Sequence, residues 1–473
     1  MLEGLEATEI RLSELERTLR IDAEFFGKPF LDAVKCLGMN KTEVLTNVAA
    51  ISDGNHFSIS DEFQDDGVPY YRGQDVTGHF FIEQAQPRFI PHHAFSQPHM
   101  TRSHLRKGDA LLSIVGTIGE LGLVSSDVEA TCSCKLAILR PRKIMAGYLA
   151  IFLKSRYGQD QIHRLKRGAV QMGLLLEDMD QLHIPRFSDE FERGVEESVK
   201  SAQETLNLSV QRYGEAEQTL LRALGLENWQ PPEPLTYERT AKEVLETERF
   251  DAEHYHPKYD DLLKCVVATG IETRRLDKIV LPIKNGFDCR DFVDEGTSYI
   301  RVGDVKHGRI NLDSALKIPL TTASIGKDIE LQLGDVLFTR KGSFGNAAPV
   351  CEEAKDVIIS SEIMLLRRRK EYRQNLLPEY LALFFNSVAG NLQAEKWAHG
   401  VAFYSVTQDD LGGLIIPLLP LPEQEKLSEL MEQSETARKE AHSLLERAKR
   451  AVEIAIEEGE AAGVAYLNRG VAG

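Results

Sequence analysis

The sequence repeats itself. Arg20-Ile21-Asp22-Ala23-Glu24 recurs 229 residues later as Arg249-Phe250-Asp251-Ala252-Glu253. Further matches follow in the same order, at offsets between 226 and 232: Arg72 with Arg301, Asp75 with Asp304, Gly116 with Gly342, Gly119 with Gly345, Tyr148 with Tyr380, Ser155 with Ser387, Gly168 with Gly400 and Asp178 with Asp410. Since the order is kept while the offset drifts by a few residues, the sequence predicts two copies of one structural unit that differ in loop length.

Each copy has the same predicted layout, which makes the fold class α+β. Alternating apolar residues such as Val68-Pro69-Tyr70-Tyr71-Arg72 and Asp335-Val336-Leu337-Phe338-Thr339 predict strands in the first part of each copy. A short helix follows, over 148–157 in the first copy and 378–388 in the second. After an Ile-Pro pair, each copy then enters a long helix. The prolines at 231, 232 and 234 mark the linker between the copies.

Both long helices carry an apolar seam. In the second, the spacing alternates between three and four residues, at Leu427, Leu430, Ser434, Ala437, Ala441, Leu444, Ala448 and Ala451. In the first, a similar stripe with one irregular step contains Val195, Val199, Ala202, Leu206, Val210, Tyr213, Leu220 and Leu224. We expect the two helices to pair as an antiparallel coiled coil, and the alternative is that each lies on its own domain. About 30 helical residues would form a rod of roughly 45–50 Å.

Composition narrows the setting of this 473-residue chain. There is no run of 18 apolar residues, so no membrane-spanning helix is expected. The acidic N-terminus does not resemble a secretory signal. Six scattered cysteines form no Cys-x-x-Cys pair, so reduced thiols in a cytoplasmic protein are expected.

The net charge of −17 disfavours nucleic-acid binding over the chain as a whole. The charge is unevenly distributed, however. Residues 100–186 contain 13 basic and 8 acidic residues, a balance of +5. A DNA-binding surface would therefore be local, or completed by partner subunits.

Three strings give the chain a family resemblance. They are Arg249 to Tyr259 (RFDAEHYHPKY), Gly334 to Gly342 (GDVLFTRKG) and Ile416 to Gln424 (IPLLPLPEQ). Together with the duplicated layout, over roughly residues 20–453, they resemble the specificity (S) subunit of type I restriction–modification systems. The first copy departs from the third string with Ile184-Pro185-Arg186-Phe187-Ser188.

The resemblance implies two β-rich target-recognition domains, each reading one half of a bipartite double-stranded DNA site. It implies that the helices set the length of the unread spacer. The implied organisation is a first target-recognition domain over 1–186, a first spacer helix and linker over 187–230, a second target-recognition domain over 231–418, a second spacer helix over 419–460 and a tail over 461–473.

The resemblance also implies partners that carry the chemistry. Methyltransferase (M) subunits would use S-adenosylmethionine for adenine methylation, and motor–nuclease (R) subunits would use ATP and Mg²⁺ when the assembly restricts. No cofactor, metal or catalytic residue is expected in this chain, and no membrane partner. In agreement, the sequence has no Asn/Asp-Pro-Pro-aromatic methylase motif, no phosphate loop and no Gly-x-Ser-x-Gly elbow.

Two other functions remain open from the sequence. One is a stand-alone DNA-binding regulator with two half-site readers. It would bind specific DNA tightly without partners. The other is a metal-dependent nuclease with an unrecognised centre among the scattered acidic residues, which a cleavage assay with Mg²⁺ would reveal.

Candidate DNA contacts lie in three places in each copy. Glycine loops at 116–119 and 341–345 permit close backbone approach, or are plain hairpin bends. The segments 163–171 and 396–404 cluster cations beside a glycine, where Gln171 could bind adenine with two hydrogen bonds, or they are solvated helix ends. Arg72 and Arg301 could contact phosphate, or pair with Asp75 and Asp304. The predicted contact residues are Arg72, Arg164, Lys166, Arg167 and Gln171 in the first copy, and Arg301, Arg340, Lys341, Lys396, His399 and Tyr404 in the second.

Overall fold

The computed structural model describes residues 8–12, 15, 20–168, 172–247, 249–323, 329–400 and 404–470. The chain divides into two units. Unit 1 contains Met1–Asn207 and Arg438–Gly473, and unit 2 contains Leu208–Ala437. Unit 1 therefore combines the first part of the chain with its C-terminal segment.

Unit 1 contains nine strands in its described part. They are β1 (Thr42–Val44), β2 (Ala49–Asp53), β3 (Val68–Tyr71), β4 (Arg88–Ile90), β5 (Ala110–Ser113), β6 (Leu121–Leu123), β7 (Thr131–Cys132), β8 (Leu136–Pro141) and β9 (His183–Pro185). Four form a sheet in the order β2-β8-β5-β6, and three form a sheet in the order β4-β3-β7. In the smaller sheet, β3 is antiparallel to β4 and parallel to β7.

Unit 2 contains eleven strands in its described part. They are β10 (Thr273–Arg275), β11 (Lys284–Asn285), β12 (Thr297–Ile300), β13 (Val305–Lys306), β14 (Arg309–Ile310), β15 (Leu316–Ile318), β16 (Val336–Thr339), β17 (Ala347–Pro349), β18 (Ile358–Ile359), β19 (Ile363–Leu366) and β20 (Ile415–Pro417). The sheet orders β11-β19-β16-β17 and β15-β12-β18 have the same strand directions as the two sheets of unit 1. The β13–β14 hairpin is additional.

The helices are placed as follows. In unit 1 they are α1 (Lys28–Leu37), α2 (Leu45–Val48), α3 (His92–Phe95), α4 (Ala146–Lys154) and α5 (Arg156–Leu165), and then α6 (Asp189–Ala223), which continues into unit 2. Unit 2 contains α7 (Ala241–Thr247), α8 (Pro257–Ala268), α9 (Leu276–Ile279), α10 (Leu320–Ala323), α11 (Pro378–Asn386), α12 (Val388–Trp397) and α13 (Gln408–Gly412). The last two are α14 (Leu421–Glu458), whose residues also belong to both units, and α15 (Glu460–Leu467) in unit 1.

The central strands are buried on both faces. In β5, Ala110 and Leu112 pack into a core with α4 and α5, while Leu111 points into a second core with the smaller sheet. In β16, Val336 and Phe338 likewise pack into one core of unit 2, while Leu337 packs into another. This follows from the two-residue period of a strand, and each fully buried large side chain contributes about 1.5–3 kcal/mol.

The predicted short helix is in each copy a pair of helices. The helices α4 and α5 meet at Ser155, whose side chain accepts a hydrogen bond from the Gly158 backbone nitrogen. A Cβ on Gly158 would lie 2.3 Å from the Phe152 carbonyl oxygen, and one on Gly390 would lie 2.3 Å from that of Phe384. The repeated serine and glycine therefore allow the tight junction of two helices.

The Ile-Pro pairs close each unit. The strands β9 and β20 pair antiparallel with β1 and β10. The Tyr148 hydroxyl donates to the Pro185 carbonyl at 2.8 Å, and the Tyr380 hydroxyl donates to that of Pro417 at 2.6 Å. These bonds hold the start of each long helix to the core of its unit.

The seam of α6 differs from the prediction at one step. Val210 is 65% exposed, whereas Ser209 is only 6% exposed. The buried positions continue through Ala216 and Leu220. The buried face of α6 therefore continues in steps of three and four residues and places Ser209 in the interior, although Val210 is the more apolar residue. The Ser434 hydroxyl on α14 donates to the Ser209 carbonyl at 2.8 Å.

Candidate nucleic-acid interface

One edge of each unit brings together the predicted loops. In unit 1, β5 ends and the antiparallel β8 begins at this edge, while the parallel strands β3 and β7 both end there. We call the edge the loop edge. It comprises residues 72–75, 113–119, 133–136 and 166–174 in unit 1, and residues 301–304, 339–345, 360–363 and 398–406 in unit 2, apart from 169–171 and 401–403, which lie outside the described residues.

Backbone hydrogen bonds join these segments in unit 1. The Ser133 nitrogen donates to the Tyr71 carbonyl at 2.9 Å, which ties the turn at 133–136 to the end of β3. Ile114 donates to the Lys135 carbonyl at 3.0 Å and accepts from the Leu174 nitrogen at 2.9 Å. The glycine loop therefore lies between the turn and the segment after α5.

The same bonds recur in unit 2. The Ser360 nitrogen donates to the Ile300 carbonyl at 2.9 Å. Arg340 donates to the Glu362 carbonyl at 3.0 Å and accepts from the Val406 nitrogen at 3.3 Å. The three candidate places found separately in the sequence thus form one surface in each unit.

The four glycines of the predicted loops have positive φ. The angles are 84° at Gly116, 93° at Gly119, 77° at Gly342 and 86° at Gly345. An L-residue with a side chain rarely adopts this conformation, so these loops require glycine for their turn. The Thr117 hydroxyl donates to the Gly73 carbonyl at 3.3 Å, which fixes the loop of unit 1 against the turn that begins at Arg72.

Sequence reasoning missed the turns at 133–136 and 360–363. A Cβ on Gly54 would lie 2.3 Å from the Ser133 carbonyl oxygen, and one on Gly286 would lie 1.8 Å from that of Ile359. Both turns are thus closely packed on a glycine. The signal was available, since Gly54 and Gly286 are separated by 232 residues, the offset of other matches.

Arg72 and Arg301 lie at equivalent places but differ in availability. The Arg72 guanidinium donates to both carboxylate oxygens of Asp75 at 2.9 Å, and its side chain is 29% exposed. The Arg301 guanidinium lies 3.6 Å from the Asp304 carboxylate, and its side chain is 47% exposed. The intramolecular alternative therefore describes Arg72 well, while Arg301 extends further into solvent.

The repeated Arg-x-Asp motif is a clamp on the segment after α5 or α12. Arg20 is bound by Asp22 and donates to the carbonyls of Leu165 and Lys166 at 3.4 and 3.2 Å. Arg249 is bound by Asp251 and donates to the Ala398 carbonyl at 3.3 Å. The arginine of each motif therefore holds the backbone at the start of the loop-edge segment that follows α5 or α12.

The position of the Arg164 side chain disagrees with its predicted phosphate contact. The residue is 7% exposed, its Nε donates to the Phe25 carbonyl at 3.0 Å, and its guanidinium lies 3.9 Å from the centre of the Phe25 ring. A phosphate contact would require the guanidinium to leave the protein interior. Arg164 is therefore a structural residue, and the predicted contact at this position is wrong.

Arg167 and His399 hold equivalent hairpin stems. Arg167 exchanges two backbone hydrogen bonds with Gly173, at 2.8 and 2.7 Å, and His399 does so with Ser405, at 2.8 and 2.9 Å. Arg167 Nη2 donates to Asp178 at 2.5 Å, and His399 Nε2 lies 3.5 Å from Asp410. Burial raises the pKa of Asp178, against the opposing effect of the Arg167 charge.

The remaining predicted residues occupy different settings. Lys166 is half-buried beside Arg167. Lys396 forms an ion pair with Asp260 of α8 at 2.9 Å, so its ammonium is engaged within unit 2 although both side chains are partly exposed. Arg340 donates to the Ser405 hydroxyl at 3.2 Å, and Lys341 lies 3.8 Å from Glu362. Tyr404 is exposed, and Gln171 lies outside the described residues.

Comparison with known proteins gave matches among solved structures alone. No family model matches the sequence, and no curated protein does. An S subunit of a type I restriction–modification system from M. genitalium matches with 10% identity and a TM-score of 0.39, over 88% of this chain and 95% of that one. The HsdS subunit from Thermoanaerobacter tengcongensis matches with 16% identity and a TM-score of 0.28, over 89% and 97%. A chain from a structure of a type I R-M system matches with 16% identity and a TM-score of 0.28, over 90% and 97%.

Two of these matched chains carry the name of an S (HsdS) subunit, and the third comes from a type I restriction–modification system. The two S subunits are the same kind of protein that the sequence resembles.

Two further features concern other classes of site. In the described ranges, no three His, Cys, Asp or Glu side chains are grouped as a metal ion would need. None of the helices within those ranges is long and apolar enough to cross a bilayer.

The basic runs at 140–143 and 367–370 lie at the other end of β8 and β19. Arg140 and Arg367 each bind a buried carboxylate there, Asp109 at 2.6 Å and Asp335 at 2.7 Å. Arg369 donates to the carbonyls of Val280 and Asp277. These three arginines are therefore used inside each unit.

Proposed function

We propose that the chain is the DNA-recognition (specificity) subunit of a type I restriction–modification system and has no catalytic centre of its own. One observation carries the proposal. Each unit gathers a glycine loop, a tight turn and a hairpin stem at one edge, with cationic side chains among them. Loops held by a rigid sheet suit contact with base edges, and cations suit contact with phosphate.

The two loop edges share their backbone and differ in their side chains. Ile114 and Val115 of unit 1 stand where unit 2 has Arg340 and Lys341, and Arg167 stands where unit 2 has His399. The same scaffold with different contact residues is what two readers of different half-sites need. We therefore propose a bipartite target, with residues 1–186 and 231–418 as the two target-recognition domains.

The long helices would serve as the spacer between readers. Unit 1 contains the first part of α6 and the last part of α14, and unit 2 contains the last part of α6 and the first part of α14. In each unit the apolar residues of both helices enter one core. This combination supports antiparallel pairing of the two helices. Their lengths would then set the number of unread base pairs between the two half-sites.

The chemistry would belong to partners in the cytoplasm. Methyltransferase subunits would bring S-adenosylmethionine, and motor–nuclease subunits would bring ATP and Mg²⁺ where the system restricts.

Mapping of methylated adenines in the native host tests the proposal. Deletion of the gene should remove one bipartite methylated motif. Exchange of residues 22–185 for the matching segment of a relative should alter only one half of that motif. A methylome unchanged by the deletion would refute the function, and a change in both halves would refute modular reading. Purified chain that methylates or cuts DNA alone would show a catalytic centre instead.

A further inference from the structure

Lys135 and Glu362 occupy one position of two equivalent turns. The Leu136 nitrogen donates to the Ser133 carbonyl at 3.0 Å, and the Ile363 nitrogen donates to the Ser360 carbonyl at 3.0 Å. These bonds close four-residue turns, of which Lys135 and Glu362 are the third residues. A cation thus stands in unit 1 where a carboxylate stands in unit 2.

The fold constrains the backbone of this position and leaves the side chain at the surface. The carbonyls of Lys135 and Glu362 accept from Ile114 and Arg340, and each turn packs closely on a glycine. Lys135 is exposed, and about half of the Glu362 side chain is exposed. A change of side chain can therefore alter the surface while the turn keeps its place.

A carboxylate here conflicts with simple phosphate binding. Glu362 lies 3.8 Å from Lys341, with Arg340 next along the chain. If this edge approaches DNA, the Glu362 carboxylate would repel phosphate and offset part of the attraction from Lys341. Its favourable DNA partner would be a hydrogen-bond donor on a base edge, such as the N4 amino group of cytosine.

We propose that Glu362 and Lys135 are base-reading residues at equivalent positions of the two loop edges. This inference rests on the proposed function. Glu362 accepts a hydrogen bond from cytosine in the half-site read by unit 2. Lys135 donates to the O6 and N7 acceptors of guanine in the half-site read by unit 1.

The test replaces the chromosomal gene in the native host with E362Q, E362K or K135Q and maps the methylated motif. The half of the motif that belongs to unit 1 is first assigned by the exchange of residues 22–185. Glu371 is exposed in unit 2, outside the loop edge, so E371Q is the matched control. Thermal unfolding of each purified variant confirms that it folds.

We expect E362Q to relax one base pair of the half-site of unit 2, where preference for cytosine falls about fivefold or more. The other half should not change. The E362K variant should shift that position towards guanine, and K135Q should relax one guanine in the half-site of unit 1. The E371Q motif should equal that of the wild type.

Three results would overturn these roles. An unchanged motif in folded E362Q and K135Q would show that neither residue reads a base. Equal weakening at every position would assign them to phosphate binding or to holding Lys341. If deletion of the gene removes no motif, the proposed function itself fails, and this inference with it.

Discussion

The carboxylate of Asp178 accepts a hydrogen bond from Arg167 at 2.5 Å, and the pair joins the stem at 167 and 173 to the short helical turn before β9. The two side chains do not use all of their hydrogen-bonding atoms. Arg167 Nε and Asp178 Oδ2 are buried and have no hydrogen-bond partner among the described residues. The guanidinium is therefore held in place but keeps one donor unused.

Replacement of Asp178 by Asn should make DNA binding by the assembled complex less selective. Arg167 would lose its carboxylate and could reach phosphate, so the slope of log K against log[salt] on non-target duplex should steepen by up to about 0.9. The ratio of target to non-target affinity should fall about fivefold or more as the stem loosens. Fluorescence anisotropy over a salt series measures both, and E177Q, which changes an exposed neighbour, is the control. Unchanged slope and ratio in D178N would contradict a positioning role.

Arg301 and Arg72 should respond differently to neutralisation. Since Arg301 is the more exposed and is weakly bound by Asp304, R301Q should lower the salt slope on target DNA by about 0.9. Since Arg72 is held by Asp75 at two positions, R72Q should leave the slope nearly unchanged and should lower stability instead. The same salt titration, with thermal unfolding beside it, compares the two variants. Equal slopes for both would show that exposure does not decide which arginine contacts DNA.

Loss of Arg164 should destabilise unit 1 and leave the salt dependence of DNA binding nearly unchanged. The R164M variant would leave the Phe25 carbonyl without its buried donor, which costs about 1–3 kcal/mol. For a unit of this size the apparent Tm should fall by roughly 2–4 °C per kcal/mol. The K166Q variant is the opposite case, with unchanged Tm and a salt slope lowered by about 0.9. A lower slope of log K against log[salt] in R164M, at an unchanged Tm, would instead show that Arg164 contacts DNA.

Asp251 should make unit 2 stability depend on pH in the acid range. Hydrogen bonds from Arg249 lower the pKa of Asp251 from 3.8 to about 2. Because the folded pKa is depressed, the ionised form stabilises the fold above about pH 4, and this contribution is lost as the pH falls towards 2. Urea unfolding should show wild type more stable than D251N at pH 6, with the difference shrinking below pH 4. D313N controls for removal of one charge from the same unit. A pH-independent difference would mean that the Asp251 charge does not act through Arg249.

Local patterns predicted much of the secondary structure and little of the side-chain environment. Strands were predicted at Val68 and Val336, and each lies within one residue of its predicted bounds, although β16 is buried on both faces and does not alternate. The role of Arg164 could not be predicted, because the pattern of a basic cluster does not reveal which cation lies over the Phe25 ring, 139 residues away. The turn at 133–136 was missed because its place depends on the close packing of Gly54 against the Ser133 carbonyl, a contact between residues far apart in the sequence.

The helix seam shows the same limit. Hydrophobicity favoured Val210, whereas the regular alternation of steps places Ser209 in the interior. A serine is tolerated there because its carbonyl and hydroxyl meet the hydroxyl of Ser434. That partner lies 225 residues further along the chain, beyond the reach of any local pattern.

The discontinuous composition of unit 1 has a consequence for biosynthesis. Domains usually fold in the order in which the ribosome releases them. Here the residues of unit 2 emerge in full before Arg438–Gly473, which unit 1 needs to cover Val195 and Val199 of α6. Asn40, whose side chain donates to the Ile456 carbonyl at 3.1 Å, must wait for almost the whole chain to be translated. The unit that is synthesised first is thus the last to be completed, and a nascent chain stalled after residue 437 would carry a finished second unit beside an uncovered first one.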